Sequence, residues 1–155
     1  MPVEVIVVDE SLWERANEAR RREWRLLILD IPASELWPNR SCSKMVVHFD
    51  DADLEIRLHI GGEAPEIITV PRATLQSLLD EYISVIHRLE EDGLHAARAE
   101  ALDMAKRVVH DDGARKLAAA IPELGKTHDL RRKVFSFVVS LAVDTSKMAG
   151  AHRHL

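Results

Sequence analysis

The chain has 155 residues, 46% hydrophobic and 30% charged, with a formal net charge of −5. This is the length of one domain able to bury its own core, and the composition excludes disordered, collagen-like and membrane-spanning classes. A single cysteine, Cys42, excludes an internal disulfide framework and any multi-cysteine zinc site.

The opening residues, Met1 to Val5, carry no basic stretch ahead of an apolar run, so no secretory signal is expected and a cytoplasmic location follows. Val3-Glu4-Val5-Ile6-Val7-Val8 is rich in β-branched residues and reads as a strand. Ser11 and Glu14 have capping-box spacing, which predicts a helix from Ser11 to about Leu29, limited by Pro32. Residues 31–42 read as loop. Met45–Phe49 and Leu54–Ile60 read as a hairpin around Asp50-Asp51-Ala52-Asp53, and the second strand alternates apolar with polar residues. Glu66–Val70 adds another short strand. Pro71 suits a first helical position, and Leu75, Leu78, Leu79, Tyr82 and Ile83 keep a helical period.

A third helix is expected from about Leu94 to His110, broken at Asp112-Gly113, with a shorter helix to Ile121. Thr127 is placed to cap a last helix over residues 128–143, apolar almost all round in its second half. Its longest apolar stretch, Val134–Val143, is half of the roughly 20 residues that a membrane helix needs. The expected architecture is α+β: a small antiparallel sheet of about four strands, an N-terminal helix, and a C-terminal half of about four helices. It forms a single domain over 1–147 with a flexible tail, 148–155.

The third helix carries the densest chemistry. Spaced at about 100° per residue, Glu100, Asp103, Arg107 and His110 share one arc, while Leu94, Ala97, Ala101, Ala105, Val108 and Val109 fill the opposite side. Two carboxylates, a guanidinium and an imidazole can hold a ligand or act as acid and base. The same pattern also describes the wet side of an amphipathic helix with an Asp103–Arg107 pair. His110, at the expected helix end, would complement the helix dipole. Arg132 in the last helix can bring an anion-holding group, and Tyr82 reads as core with its hydroxyl at an edge. No metal-ligand set and no cofactor motif stands out, so neither metal nor cofactor is expected.

The charge is uneven. Residues 1–95 hold 19 acidic and 10 basic side chains, and residues 96–155 hold 7 and 11. Arginines in the first helix are interleaved with Glu14, Glu18 and Glu23, which suits internal pairs. Lys126, Arg131, Arg132 and Lys133 form a purer basic group, but the net negative charge counts against nucleic acid as a partner.

The segment Glu100-Ala101-Leu102-Asp103-Met104-Ala105-Lys106-Arg107-Val108-Val109-His110-Asp111-Asp112-Gly113 resembles the centre of a small uncharacterised protein family typical of α-proteobacteria, whose text there is E-A-I-D-M-G-R-R-G-L-H-N-E-G. The last helix carries Arg132, Phe135 and Leu141 in register with that family's R-R-L-F-T-L-I-C-V-L. The family's tyrosine pair and cysteine are replaced by Ile86, Leu89 and Glu90, and its His-Trp-Arg-Gly ending is missing. The resemblance implies a distant relationship and points to Glu100–Gly113 and Arg132. It implies no activity.

Two functions follow as expectations. The first is a non-catalytic cytosolic protein that binds a partner, foremost a second copy of itself. The alternative is a small enzyme or a metal- or anion-binding protein using Glu100, Asp103 and His110, with Arg107, Arg132 and Tyr82 holding the ligand.

Overall fold

The computed structural model describes residues 5–40, 42–62, 64–91 and 96–144. The tail, 148–155, and Leu94 lie outside these residues. The fold is α+β. In chain order it runs β1 (Val5–Val8), α1 (Glu10–Arg15), α2 (Glu18–Asp30), a 3₁₀ turn (Ala33–Glu35), β2 (Lys44–Phe49), β3 (Asp53–His59), β4 (Glu66–Pro71), α3 (Arg72–Glu91), α4 (Ala96–Ala120) and α5 (His128–Ala142).

The sheet order is β1-β2-β3-β4, and the sheet is mixed rather than antiparallel. β2, β3 and β4 form the expected antiparallel meander, with His48 opposite Glu55 and Val47 opposite Ile56. β1, however, pairs parallel to β2, with Val7 opposite Val46. The segment between them contains α1, α2 and the 3₁₀ turn. Such a helical crossover returns the chain to the end of the sheet where it started, which makes a parallel neighbour natural.

Alternation assigns the two faces of the sheet. Ile6, Val8, Met45, Val47, Phe49, Leu54, Ile56, Leu58 and Val70 enter the core. α2 packs against β1, α5 against β2, and α3 against β3 and β4. The other face carries Val7, Val46, His48, Glu55 and Arg57. Cys42, expected in a loop, is buried, and its thiol donates to the Lys44 carbonyl.

The first helix is two helices. Asp9, not Ser11, caps α1, because its carboxylate accepts from the Ser11 N–H. Asn17 then caps α2 through Arg20 N–H at 2.8 Å. The arginines of α2 mostly serve the fold. Arg20 donates to the Leu141 carbonyl at the end of α5, and Trp24 Nε1 donates to the Ser140 carbonyl at 3.1 Å. Arg21 and Arg25 lie over the Trp13 ring. α5 is the buried centre of the helical half, with every residue from Val134 to Leu141 buried.

α4 departs most from expectation. It runs unbroken through Asp112 and Gly113 to Ala120. Glycine costs a helix about 1 kcal/mol relative to alanine, but here packing needs it. A Cβ on Gly113 would lie 2.4–2.5 Å from three Phe135 ring atoms. The glycine therefore lets α4 and α5 approach closely.

The 3₁₀ turn is followed by a charged tie. Arg40 reaches both oxygens of Glu123, at 2.6 and 2.9 Å, and also pairs with Glu66. One half-buried guanidinium thus joins the loop before β2, strand β4 and the α4–α5 connection. Arg40→Ala is expected to cost about 1–2 kcal/mol in urea denaturation.

Candidate functional site

The arc read from the third helix does not form one site. Glu100 and Arg107 are exposed, Asp103 is half-buried and His110 is buried. The inward face of α4 consists of Lys106, Val109, His110, Gly113, Ala114 and Leu117, which share an arc of roughly 140°. Ala101 and Val108, expected inside, face solvent. The reason is long-range. The contact between Gly113 and Phe135, together with Ala114 and Leu117, fixes the rotation of α4, and upstream residues inherit it.

His110 is therefore not at a helix end. It lies mid-helix at 1% exposure, and the dipole role expected of it does not apply. Its ring stacks on Tyr82, with centroids 5.3 Å apart and planes 19° apart, and meets Phe135 edge-on at 5.9 Å. Its Nδ1 lies 3.3 Å from the Ser136 hydroxyl, which also donates to the Arg132 carbonyl. Tyr82 is fully buried, not at an edge, and burial together with the Glu23 charge pushes its hydroxyl well above the usual tyrosine range. One turn before His110, Lys106 is 2% exposed. Burial pushes its ammonium down to about 8, against the opposing charge of Asp103.

His110 and Arg132 do share a depression, with Ser136, Lys133, Asp129 and Asp30. The space open within it is only about 40 Å³, room for a few waters. Its charges also cancel: Arg132 and Lys133 face Asp30 and Asp129. Arg132 Nε lies 3.2 Å from Asp111, and Lys133 lies 3.4 Å from Asp129. Asp111 also meets His128 at 3.0 Å. The hydrogen bond from His128 holds the Asp111 carboxyl below the usual range against slight burial, and the charges of Arg132, His128 and Arg115 add to this. Arg131 donates to the Leu124 and Gly125 carbonyls ahead of α5. Three of the four basic residues singled out in the sequence are thus engaged locally. No group of three or more histidine, cysteine or acidic side chains among the described residues is arranged to hold a metal ion.

Two features escaped the sequence reading. The first is a charged cluster where β1 meets α1. Asp9 accepts from Ser11 and Arg57, and its second oxygen lies 3.2 Å from His48 Nδ1. His48 Nε2 lies 3.1 Å from Asp50, and Arg57 Nε lies 2.8 Å from Glu55. Burial alone would raise the Asp9 carboxyl. The hydrogen bonds from Ser11 and Arg57, with the charges of Arg57 and His48, outweigh it and hold Asp9 below the usual range. These partners lie 39 and 48 residues away, so no local spacing reveals them. Only the alternation of β3, which sets Glu55 and Arg57 on the polar face, hints at the cluster.

The second feature is the sheet edge at β1, which pairs with no further strand among the described residues. A largely apolar groove of about 370 Å³ runs beside it, lined by Ile6, Val7, Val8, Trp13, Ile28 and Leu29, with Arg25 the one charged side chain in its wall. Leu29 is 80% exposed, Leu26 61% and Val5 46%. β-Strand geometry points alternate backbone groups to opposite sides. Asp9 N–H bonds to the Val47 carbonyl, so Val5 and Val7 face β2, and the N–H and C=O groups of Ile6 and Val8 face outward.

Comparisons with family models, with curated proteins and with solved structures found no match. No helix among the described residues is long and apolar enough to cross a membrane.

Proposed function

We propose that the protein is a non-catalytic cytoplasmic interaction protein that works as a homodimer, with β1 pairing antiparallel to β1 of a second copy. The carrying observation is the unguarded edge. Folded proteins blunt edge strands with charge, proline or bulges, because a bare edge templates pairing with another chain. β1 over Val5–Val8 has none of these. The opposite edge, β4, begins at Glu66, which is held by Arg40, and ends at Pro71.

A second copy suits this edge because antiparallel pairing about a two-fold axis is self-complementary. The axis would join two four-stranded sheets into one of eight. α2 lies beside β1, so Leu26 and Leu29 of both copies would meet over the joined strands and lose their exposure to water. Burying one such leucine contributes about 1.5–3 kcal/mol. The small, charge-balanced depression at His110 and the outward-facing Glu100 and Arg107 favour this reading over a small enzyme or an anion binder. The likeness at Glu100–Gly113 to the α-proteobacterial family supplies no activity to set against it.

Val7→Lys tests the proposal. Val7 is half-buried on the outer sheet face, so a lysine there can reach water within one copy. In a dimer, the two lysines would stand close together near the axis. Light scattering at tens of micromolar should give a dimer for the parent and a monomer for Val7→Lys, with Leu29→Glu acting in the same direction. A monomeric parent would sink the reading.

A further inference from the structure

The charged cluster at the end of β1 has a geometry that only one protonation state satisfies. His48 offers both ring nitrogens to carboxylates: Nδ1 to Asp9 at 3.2 Å and Nε2 to Asp50 at 3.1 Å. A neutral imidazole carries one N–H and one lone pair, whereas an imidazolium donates from both nitrogens. Both contacts are hydrogen bonds only when His48 is charged. Histidine is the side chain that most readily gains and loses its proton near neutral pH.

The two carboxylates belong to different parts of the fold. Asp9 ends β1 and caps α1. Asp50 opens the β2–β3 turn, where it accepts from the Ala52 and Asp53 N–H groups. Those backbone hydrogen bonds hold the Asp50 carboxyl below its usual range, as the side-chain partners do for Asp9. Both therefore stay ionised through the range in which a histidine changes charge. The remaining charged groups facing His48 are Glu55, directly across on β3, and Arg57, which pairs with Asp9 and Glu55. From α3, Arg72 donates to the Asp50 carbonyl.

We propose that His48 is a proton-operated latch on the β1 edge: its imidazolium ties the β1–α1 junction to the β2–β3 turn, and loss of the proton loosens α1 and weakens pairing with a second copy. The link to the edge is short. α1 is held at its start by Asp9 and carries Trp13, which lines the groove beside β1. Protonation of His48 closes the latch and loss of the proton opens it. The coupling to assembly rests on the homodimer reading, but the latch itself does not.

The experiment has two arms. Sedimentation of the parent at pH 5.5 and pH 8.5 measures the dimer dissociation constant, with His48→Asn as the control that removes the titrating group. The parent should dissociate roughly three- to tenfold more readily at pH 8.5, the scale of one partly exposed charge-assisted hydrogen bond. His48→Asn should show little change. The second arm measures amide protection factors at Ser11 and Trp13 in the Val7→Lys chain, with and without His48→Asn. Protection should fall at pH 8.5 only where His48 is present. Equal protection at both pH values, or an unchanged pH response in His48→Asn, overturns the latch. Absence of any dimer at either pH overturns the homodimer reading and the coupling, and the exchange arm still decides the latch.

Discussion

Gly113→Ala should destabilise the protein by about 2 kcal/mol, although alanine is the better helix former. Intrinsic propensity favours the substitution by about 1 kcal/mol. Against that, the new methyl group would sit 2.4–2.5 Å from three atoms of the Phe135 ring. Phe135 is fully buried and meets the His110 ring edge-on, so it has little room to swing aside. Relief requires α4 and α5 to separate, and overpacking of this kind costs 1–3 kcal/mol or somewhat more. Urea denaturation measures the loss. Phe135→Leu should itself destabilise, but the double variant should lose less than the two single losses combined, because the leucine makes room. A neutral or stabilising Gly113→Ala would mean that α4 and α5 do not approach as closely as described.

Lys106→Met should act in the opposite direction and stabilise the fold by about 1–3 kcal/mol at pH 7. Lys106 is buried on the inward face of α4, and its ammonium is pushed down to about 8 from the usual value of 10.5. The folded state therefore holds this proton less tightly than the unfolded state. Below about pH 8 both states are protonated, and the full penalty of a buried charge applies. Between about pH 8 and 10.5 the folded state releases the proton first, so stability rises with pH through that window. Methionine matches the stem and removes the charge, at the cost of leaving Asp103 without that neighbouring cation. The variant should show a higher urea midpoint at pH 7 and a flatter stability profile between pH 8 and 10. A loss of stability at pH 7 would show that the pairing of Lys106 outweighs its desolvation.

Both predictions concern α4, where local and long-range signals conflict. Gly113 after Asp112 reads as a stop, because a glycine beside an aspartate usually ends a helix. The deciding partner is Phe135, 22 residues further on. The polar arc from Glu100 to His110 is real as a pattern, but a pattern does not say which side meets the neighbours. The anchor is the face of Gly113, Ala114 and Leu117, and it turns Lys106 and His110 inward. By contrast, the β2–β3 hairpin was fully legible, since its alternation and turn residues are local. So was α5, where Thr127 caps the start, its hydroxyl accepting from Leu130 N–H. The partner of β1 was not legible, because a strand's sequence does not carry the direction of its neighbour. The Asp9–His48–Arg57 cluster was hidden for the same reason: the sheet assembles it from three separate segments.

The central claim is that β1 pairs with itself, and the backbone amides of Ile6 and Val8 test it most directly. Their N–H groups point away from β2, toward the open edge. In a single copy they face water or the groove, while in the dimer they bond across the two-fold axis. Amide hydrogen exchange at these two positions should slow steeply as protein concentration rises from submicromolar to hundreds of micromolar. In Val7→Lys they should exchange rapidly at every concentration. Exchange at Ile6 and Val8 that is independent of concentration in the parent chain would contradict the account.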